Sequence, residues 1–241
     1  MVTEKNKFDY ISIAKRVLDI ESSAIADLKT SLGESFTNAC ELCFNCTGKI
    51  IVMGLGKSGH IADKIAATFA STGTPAFFIH PSEAIHGDLG MIDNEDVVLV
   101  LSNSGETEEI VSLIQVIKRM DIKIIAITGN KESKLSREAD IHIHVLVKEE
   151  ACPMNLAPTA STSAALAMGD AIAVALLEKR GFTKEDFAKS HPGGSLGKQL
   201  LLSVEDIMHT GDEIPAVYET DKLASGLIEM SEKALGMTVI I

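Results

Sequence analysis

Apolar residues near the start of the chain recur at helical spacing, and beyond about residue 48 they abruptly stop doing so. Ile11, Ala14, Leu18, Ile25, Leu28 and Leu32 fall three or four residues apart, or at multiples of that spacing, which predicts an amphipathic helix over 8–32. A second helical pattern covers 34–47, with Phe36, Cys40, Cys43, Phe44 and Thr47 on one side. Short unbroken apolar runs follow: KIIVMG (49–54), AFFIH (76–80), DVVLVLS (96–102), KIIAITG (123–129) and DIHIHVLV (140–147). Runs rich in Ile and Val that are continuous rather than alternating predict a parallel sheet covered on both faces. Between them, HIADKIAATFAS and EEIVSLIQVIKRM have the period and length of helical crossovers. The expectation is a doubly wound α/β domain with a five-stranded parallel sheet flanked by helices. A long helix over 159–179 and a shorter one from 183 close it.

Composition changes after Leu202. Residues 203–241 carry eight acidic and two basic side chains, so they supply −6 of the chain's net −12. The pattern there reads helix (VEDIM), extended segment (EIPAVY), helix (KLASGLIEMSEKAL) and strand (MTVII). A unit this short falls below the size of roughly 40 residues at which independent folding becomes rare. Two accounts remain open: the opening of a second domain over 203–241 after a first domain over 1–202, or an appendage packed on that first domain. A pI near 5.0 disfavours nucleic acid or an anionic membrane as the main partner. The opening MVTEKNKF has no apolar signal core, and 164–177, the most apolar helix-length stretch, carries Asp170 and falls short of the roughly 20 residues a bilayer needs. Four cysteines without a secretion signal read as reduced thiols. The expected location is the cytoplasm.

Two loops could carry chemistry. The first strand runs into GLGKSGH, with Gly54, Gly56 and Gly59 in the spacing of a dinucleotide fingerprint. That reading requires an acidic residue at the end of the next strand, where His80-Pro81 stands instead. A nucleotide P-loop requires glycine where Ile51 stands. What survives is a glycine turn that bares backbone N–H groups beside Lys57 and Ser58, suited to a phosphate or serving only as a tight turn. The third strand runs into SNSGETEE, where Ser102, Asn103, Ser104 and Thr107 make a second anion cradle. Thr107 there could cap a helix whose first turn holds Glu108 and Glu109. Hydroxyl-rich loops on two strand ends are the expected form of a phosphate site at a topological switch point.

GLGKSG, HPSEAIHGDLG (80–90), SNSGETEE, KEEACP (148–153), LAPTASTSAALAMGDA and SHPGGSLG together resemble a sugar isomerase (SIS) domain, and more closely the arabinose 5-phosphate isomerase group. DIMHTGDEIPAV and the segment after it resemble the first half of a cystathionine-β-synthase (CBS) motif. The resemblance implies that Gly56, Ser58, Ser102, Asn103, Ser104 and Thr107 hold a sugar phosphate. It implies catalytic roles for Lys57, Glu109, Glu150 and His191. His80 and His86 would line the site, and His86 with His191 could take up inhibitory zinc. The implied reaction interconverts D-ribulose 5-phosphate and D-arabinose 5-phosphate through an enediol, without a cofactor, in a homotetramer, and supplies 3-deoxy-manno-octulosonate (Kdo) and hence lipopolysaccharide. Enediol chemistry needs a base, an acid for the oxygens and positive charge near the oxyanion. Lys57 would supply the charge, Glu150 and His191 the acid–base work, and Glu109 would orient one of them.

Other classes remain in view. A phosphosugar-sensing transcription regulator would need a basic recognition helix, and 1–48 shows none. A non-catalytic phosphosugar-binding regulator would lack the acid–base residues, all present here. An isomerase of another phosphosugar is not separated by these residues. Cys40, Cys43 and Cys46 imitate a cluster ligand set, yet Cys40 and Cys43 fall on the apolar face of a predicted helix and read as small buried hydrophobes. His142 and His144 alternate on one strand and read as the polar face of an edge strand rather than a metal chelate.

Overall fold

A computed structural model describes residues 8–194, 199–200 and 203–241. The end of the SHPGGSLG motif, 195–197, and Leu202 at the expected domain boundary lie outside the described residues. The chain divides into two compact units, Met1–Phe187 and Ala188–Ile241, a division that falls ahead of the compositional change.

In the first unit, helix α1 (Tyr10–Asp27) starts at Asp9, whose carboxylate accepts the Ser12 N–H at 3.0 Å. The helix ends in a 3-10 turn over Leu28–Thr30, short of the full expected span. Helix α2 (Glu34–Phe44) buries Ala39 and Cys43. Five parallel strands follow, β1 (Ile50–Gly54), β2 (Ala76–Ile79), β3 (Val97–Leu101), β4 (Lys123–Thr128) and β5 (Ile141–His144), ordered β2-β1-β3-β4-β5. Val52 pairs with both Phe78 and Leu99, Leu99 with Ile125, and Ile127 with Ile143.

The continuous apolar strands feed two cores. Ile50, Val52, Leu99, Ile125 and Ile127 pack on one face against α2, α3 (Gly56–Ser71) and α7 (Ala160–Arg180). Their neighbours Ile51, Met53, Val98, Val100 and Ile124 pack on the other against α4 (Pro81–Ile85), α5 (Glu108–Arg119) and α6 (Lys134–Glu138). Strand residues alternate between faces, so both faces must be apolar and no polar alternation appears in the sequence. The short helices α4 and α6 were not predicted, being too brief to show a period.

One expectation is corrected by α7. This 21-residue helix, which contains an 18-residue stretch of mean hydropathy 1.6, is by length and composition able to cross a bilayer, the one such helix among the described residues. Here Ala164, Met168, Ile172, Ala173 and Leu176 belong to the first core. Asp170 is paired with Lys64 of α3 at 2.6 Å, and a Cβ on Gly169 would stand 2.3 Å from Ile65 Cδ1, so α3 and α7 meet at a glycine. Gly181 ends the helix in the left-handed conformation.

Helix α8 (Lys184–Ser190) carries the chain across the division. Within the second unit, α9 (Val204–Ile207) is opened by a capping box between Ser203 and Asp206. Strand β6 (Ala216–Val217) pairs in parallel with β7 (Val239–Ile240), joined through α10 (Leu223–Glu232). The order of these elements is the expected one, with both strands only two residues long.

Candidate functional site

Because β1 lies between β2 and β3, the connections on its two sides run in opposite directions, and a crevice opens at the carboxyl ends of these strands. Ser58, Leu101, Ser102 and Asn103 line both lobes of this crevice. One lobe adds Ser104 and Thr107, and the other adds Thr128, Gly129, Ser161 and Thr162. Ser58, Ser102, Asn103, Ser104 and Thr107 are thus brought together as the sequence led one to expect.

The turn from β1 into α3 requires its glycines. A Cβ on Gly54 would stand 2.7 Å from the Ser58 carbonyl oxygen, and one on Gly59 2.8 Å from that of Gly54. Gly56 has φ +55°. With Leu55 at the N-cap, no side chain caps α3, so the amides of its first turn are left for an anion or water.

In the second loop, Ser102 Oγ accepts the Gly105 N–H at 3.1 Å and Ser104 Oγ accepts the Glu106 N–H at 3.3 Å. Each hydroxyl thereby spends an acceptor lone pair on the loop and keeps its proton to donate to a phosphate oxygen. Gly105 has φ +66° and a Cβ on it would stand 2.2 Å from Ser133 Oγ, so the loop is pressed onto its neighbour. Thr107 occupies the N-cap of α5 but makes no capping bond with its side chain, while Glu108 and Glu109 stand in the first turn.

The remaining expected residues of the first unit stand outside the lining of the crevice. Lys57 is exposed in the first turn of α3, and Glu109 is exposed in that of α5. His80 is the N-cap of α4, its Nδ1 accepting the Ser82 N–H at 3.3 Å, and exposed His86 follows the end of that helix. His191 belongs to the second unit, where its N–H donates to the Ala188 carbonyl at 3.1 Å and its carbonyl accepts the Gly194 N–H at 3.0 Å.

Glu150 has a definite structural task. Its Oε2 accepts the Thr159 N–H at 2.7 Å, the Thr159 hydroxyl at 3.0 Å and the Ser161 N–H at 3.2 Å. Partial burial works to raise its pKa, but the hydrogen bonds from Ser161 and Thr159 outweigh it and hold the carboxyl below its ordinary value. The carboxylate is therefore charged and weakly basic.

Sequence reading missed Thr128, Gly129, Ser161 and Thr162. The available signal was positional: Thr128-Gly129 ends β4 as Gly54 ends β1, and Ser161-Thr162 opens the longest helix. The other candidates fall out as follows. Cys43 is buried in the core, and burial pushes its thiol up to about 12. β5 is an edge strand, and both its histidines bond to the end of β4.

Residues 44–175 match the SIS domain family model. Arabinose 5-phosphate isomerase KdsD of Shigella flexneri is 60% identical over 233 residues, covering 97% of this chain and 71% of the relative. The Pseudomonas aeruginosa protein of the same name is 54% identical over 233 residues, covering 97% and 72% respectively. Among solved structures, Escherichia coli CFT073 c3406 in complex with arabinose 5-phosphate superposes with a TM-score of 0.75 at 43% identity, over 78% of this chain and all of that one. The chain belongs to the SIS-domain family, in the group formed by its arabinose 5-phosphate isomerase relatives.

Proposed function

We propose that this protein interconverts D-ribulose 5-phosphate and D-arabinose 5-phosphate. The observation that carries the reading is the pair of hydroxyl loops, Ser58 on one side and Ser102–Thr107 on the other, meeting at the switch point between β1 and β3. Its support is the 54–60% identity to arabinose 5-phosphate isomerases and the likeness to a structure solved with arabinose 5-phosphate.

Ser58, Ser102, Asn103, Ser104 and Thr107 grip the phosphate, with Gly56 letting the turn approach it. A base removes a proton from C1 of the open ketose, giving an enediolate. A proton is then returned to C2, and the proton of the C1 hydroxyl passes to the oxygen on C2 as the aldehyde forms. Lys57 supplies positive charge to the oxyanion, and Glu109 orients a reacting group. His191 takes part in the acid–base work. Glu150 stays in the set as a charged group that fixes the start of α7, a role its lowered pKa suits better than that of base. His80 and His86 serve the rim, and zinc inhibition would act through His86 and His191.

The same reading makes the product a precursor of Kdo, places the protein in the cytoplasm and needs no cofactor. Residues 203–241 are taken as the beginning of a CBS domain after an isomerase domain over 1–202. A homotetramer is consistent with α1, whose Ile11, Leu18 and Ile25 are exposed. The deciding experiment gives purified protein ribulose 5-phosphate and identifies the aldose formed. Arabinose 5-phosphate is expected; another aldose phosphate makes this an isomerase of different specificity, and no turnover makes it a phosphosugar-binding protein.

A further inference from the structure

The Thr128–Gly129 wall of the crevice is held from outside by the edge strand. Parallel register sets His142 beside Ala126 and His144 beside Thr128. His142 Nε2 lies 2.9 Å from Thr128 Oγ1, and His144 Nε2 lies 3.2 Å from the Gly129 carbonyl oxygen. The Thr128 hydroxyl donates to the Asn130 carbonyl at 2.9 Å and accepts the Asn130 N–H at 3.1 Å. A hydroxyl has one proton, and with that proton on Asn130 the imidazole of His142 must donate from Nε2.

The next link reaches the phosphate loop. Gly129 donates its N–H to the Asn103 carbonyl at 3.0 Å, and Ser102 donates its N–H to the Ile127 carbonyl at 3.1 Å. A Cβ on Gly129 would stand 2.7 Å from Asn103 Oδ1, so the two loops touch closely. Hydrogen bonds, joined by the backbone of 127–130, thus connect the two histidines to Ser102–Asn103.

We infer that His142 is a positioning residue for the phosphosugar crevice, fixing the Thr128–Gly129 corner on which Asn103 rests, with His144 as a second brace. The inference rests on the reading of Ser102–Thr107 as the phosphate loop. Groups one step removed from a ligand commonly set the orientation of those that touch it. Burial, helped by His144 and Lys131, keeps the His142 pKa below its usual value, so the ring is neutral at neutral pH and its donor is fixed by the tautomer.

The test uses the full chain, inorganic phosphate as binding probe and ribulose 5-phosphate for kinetics. His142→Ala is expected to weaken phosphate binding and raise KM by about 5- to 30-fold, the effect of one lost hydrogen bond, with kcat changed far less. His142→Gln, which can still donate, is expected to recover most of the loss. Thr128→Val is expected to reproduce it, and the double variant to be no worse than either single one. Unchanged phosphate affinity in His142→Ala, equal losses in the Ala and Gln variants, or additive losses with Thr128→Val would overturn the inference. Ser104→Ala separates the two readings: if it leaves phosphate binding intact, the phosphate loop itself is misassigned and the brace falls with it.

Discussion

Glu150 Oε2 takes the backbone N–H of Thr159 at 2.7 Å, so a residue the family resemblance marks as catalytic closes the first turn of the longest helix. Thr159 is the N-cap of α7 yet makes no capping bond to the helix with its own side chain. Its hydroxyl instead donates to Glu150 and accepts the Ala151 N–H at 2.8 Å. The Glu150 N–H donates to Asn155 Oδ1 at 2.7 Å, so the loop over 151–158 is tied at both ends. A carboxylate at a helix N-terminus is also favoured by the macrodipole. Ser161, whose N–H Glu150 also takes, lines the crevice together with Thr162.

This relationship predicts that Glu150 and His191 are not equivalent. His191→Ala is expected to lower kcat by about 10²–10⁴. Glu150→Gln keeps an acceptor oxygen and is expected to lower kcat by about tenfold or less, while Glu150→Ala loses about 1 kcal/mol of stability or more, as removal of a cap does. The lowered pKa adds a pH signature. Glu150 contributes stability that is fully present above its unfolded value of about 4.3 and is lost as pH falls through the lower folded value. The difference in Tm between wild type and Glu150→Gln should therefore narrow below about pH 4.3. A normal Tm with abolished turnover in Glu150→Gln would return the proton-transfer role to this residue.

The phosphate loop gives a second prediction. Ser104→Ala and Thr107→Ala should each raise KM more than they lower kcat, by the roughly 1.5–3 kcal/mol of a hydrogen bond to a charged group. Steady-state kinetics with ribulose 5-phosphate checks this. Normal KM in both variants would leave the loop as a helix start and nothing more.

Steric room at the glycine turn is a third. A methyl group at Gly54 meets the backbone of Ser58, which cannot swing aside, whereas one at Gly33 meets nothing within 4 Å. Gly54→Ala is expected to cost about 1–3 kcal/mol, as overpacking does, and to weaken phosphate binding. Gly33→Ala should be close to neutral. Thermal melts of the pair, run with and without phosphate, make the comparison.

Turnover is expected to survive chelation with EDTA, since the enediol chemistry is assigned to Lys57 and His191. Added zinc should inhibit, and His86→Ala should relieve part of that inhibition. Activity lost to a chelator and restored by one metal would overturn the assignment.

The parallel sheet was legible because strands buried on both faces are apolar throughout, as VVLVL (97–101) is. The crevice was legible in part, because Ser58 and Ser102–Thr107 follow strands directly and their placement needs only the strand order. Glu150 was not legible as a cap. Its partners Thr159 and Ser161 lie nine and eleven residues on, across a loop whose path no local spacing encodes. Thr128 was hidden for another reason: a threonine ending a strand is common, and its task depends on His142, fourteen residues away on the neighbouring strand. Asp170 in α7, which weighed against that helix as a bilayer span, is matched by Lys64 of α3, a pairing that only the packed helices reveal.

The division at 187 makes the last prediction. Both cores are built from residues between Leu28 and Leu176, and both hydroxyl loops lie in the same unit. Removing 203–241 takes away the β6–β7 pair and its helix but nothing from either core. A chain of residues 1–202 is therefore expected to stay soluble, bind phosphate and turn over substrate, because it retains His191. A chain of residues 1–187 loses His191 and the end of α8, so it should bind phosphate while losing turnover by about 10² or more, the contribution of one acid–base group. Phosphate titration and ribulose 5-phosphate kinetics on the two chains separate binding from chemistry. Insoluble 1–202 protein would show that the second unit is needed to fold the first. Full turnover by 1–187 would remove His191 from the mechanism and leave the proton work to residues of the first unit.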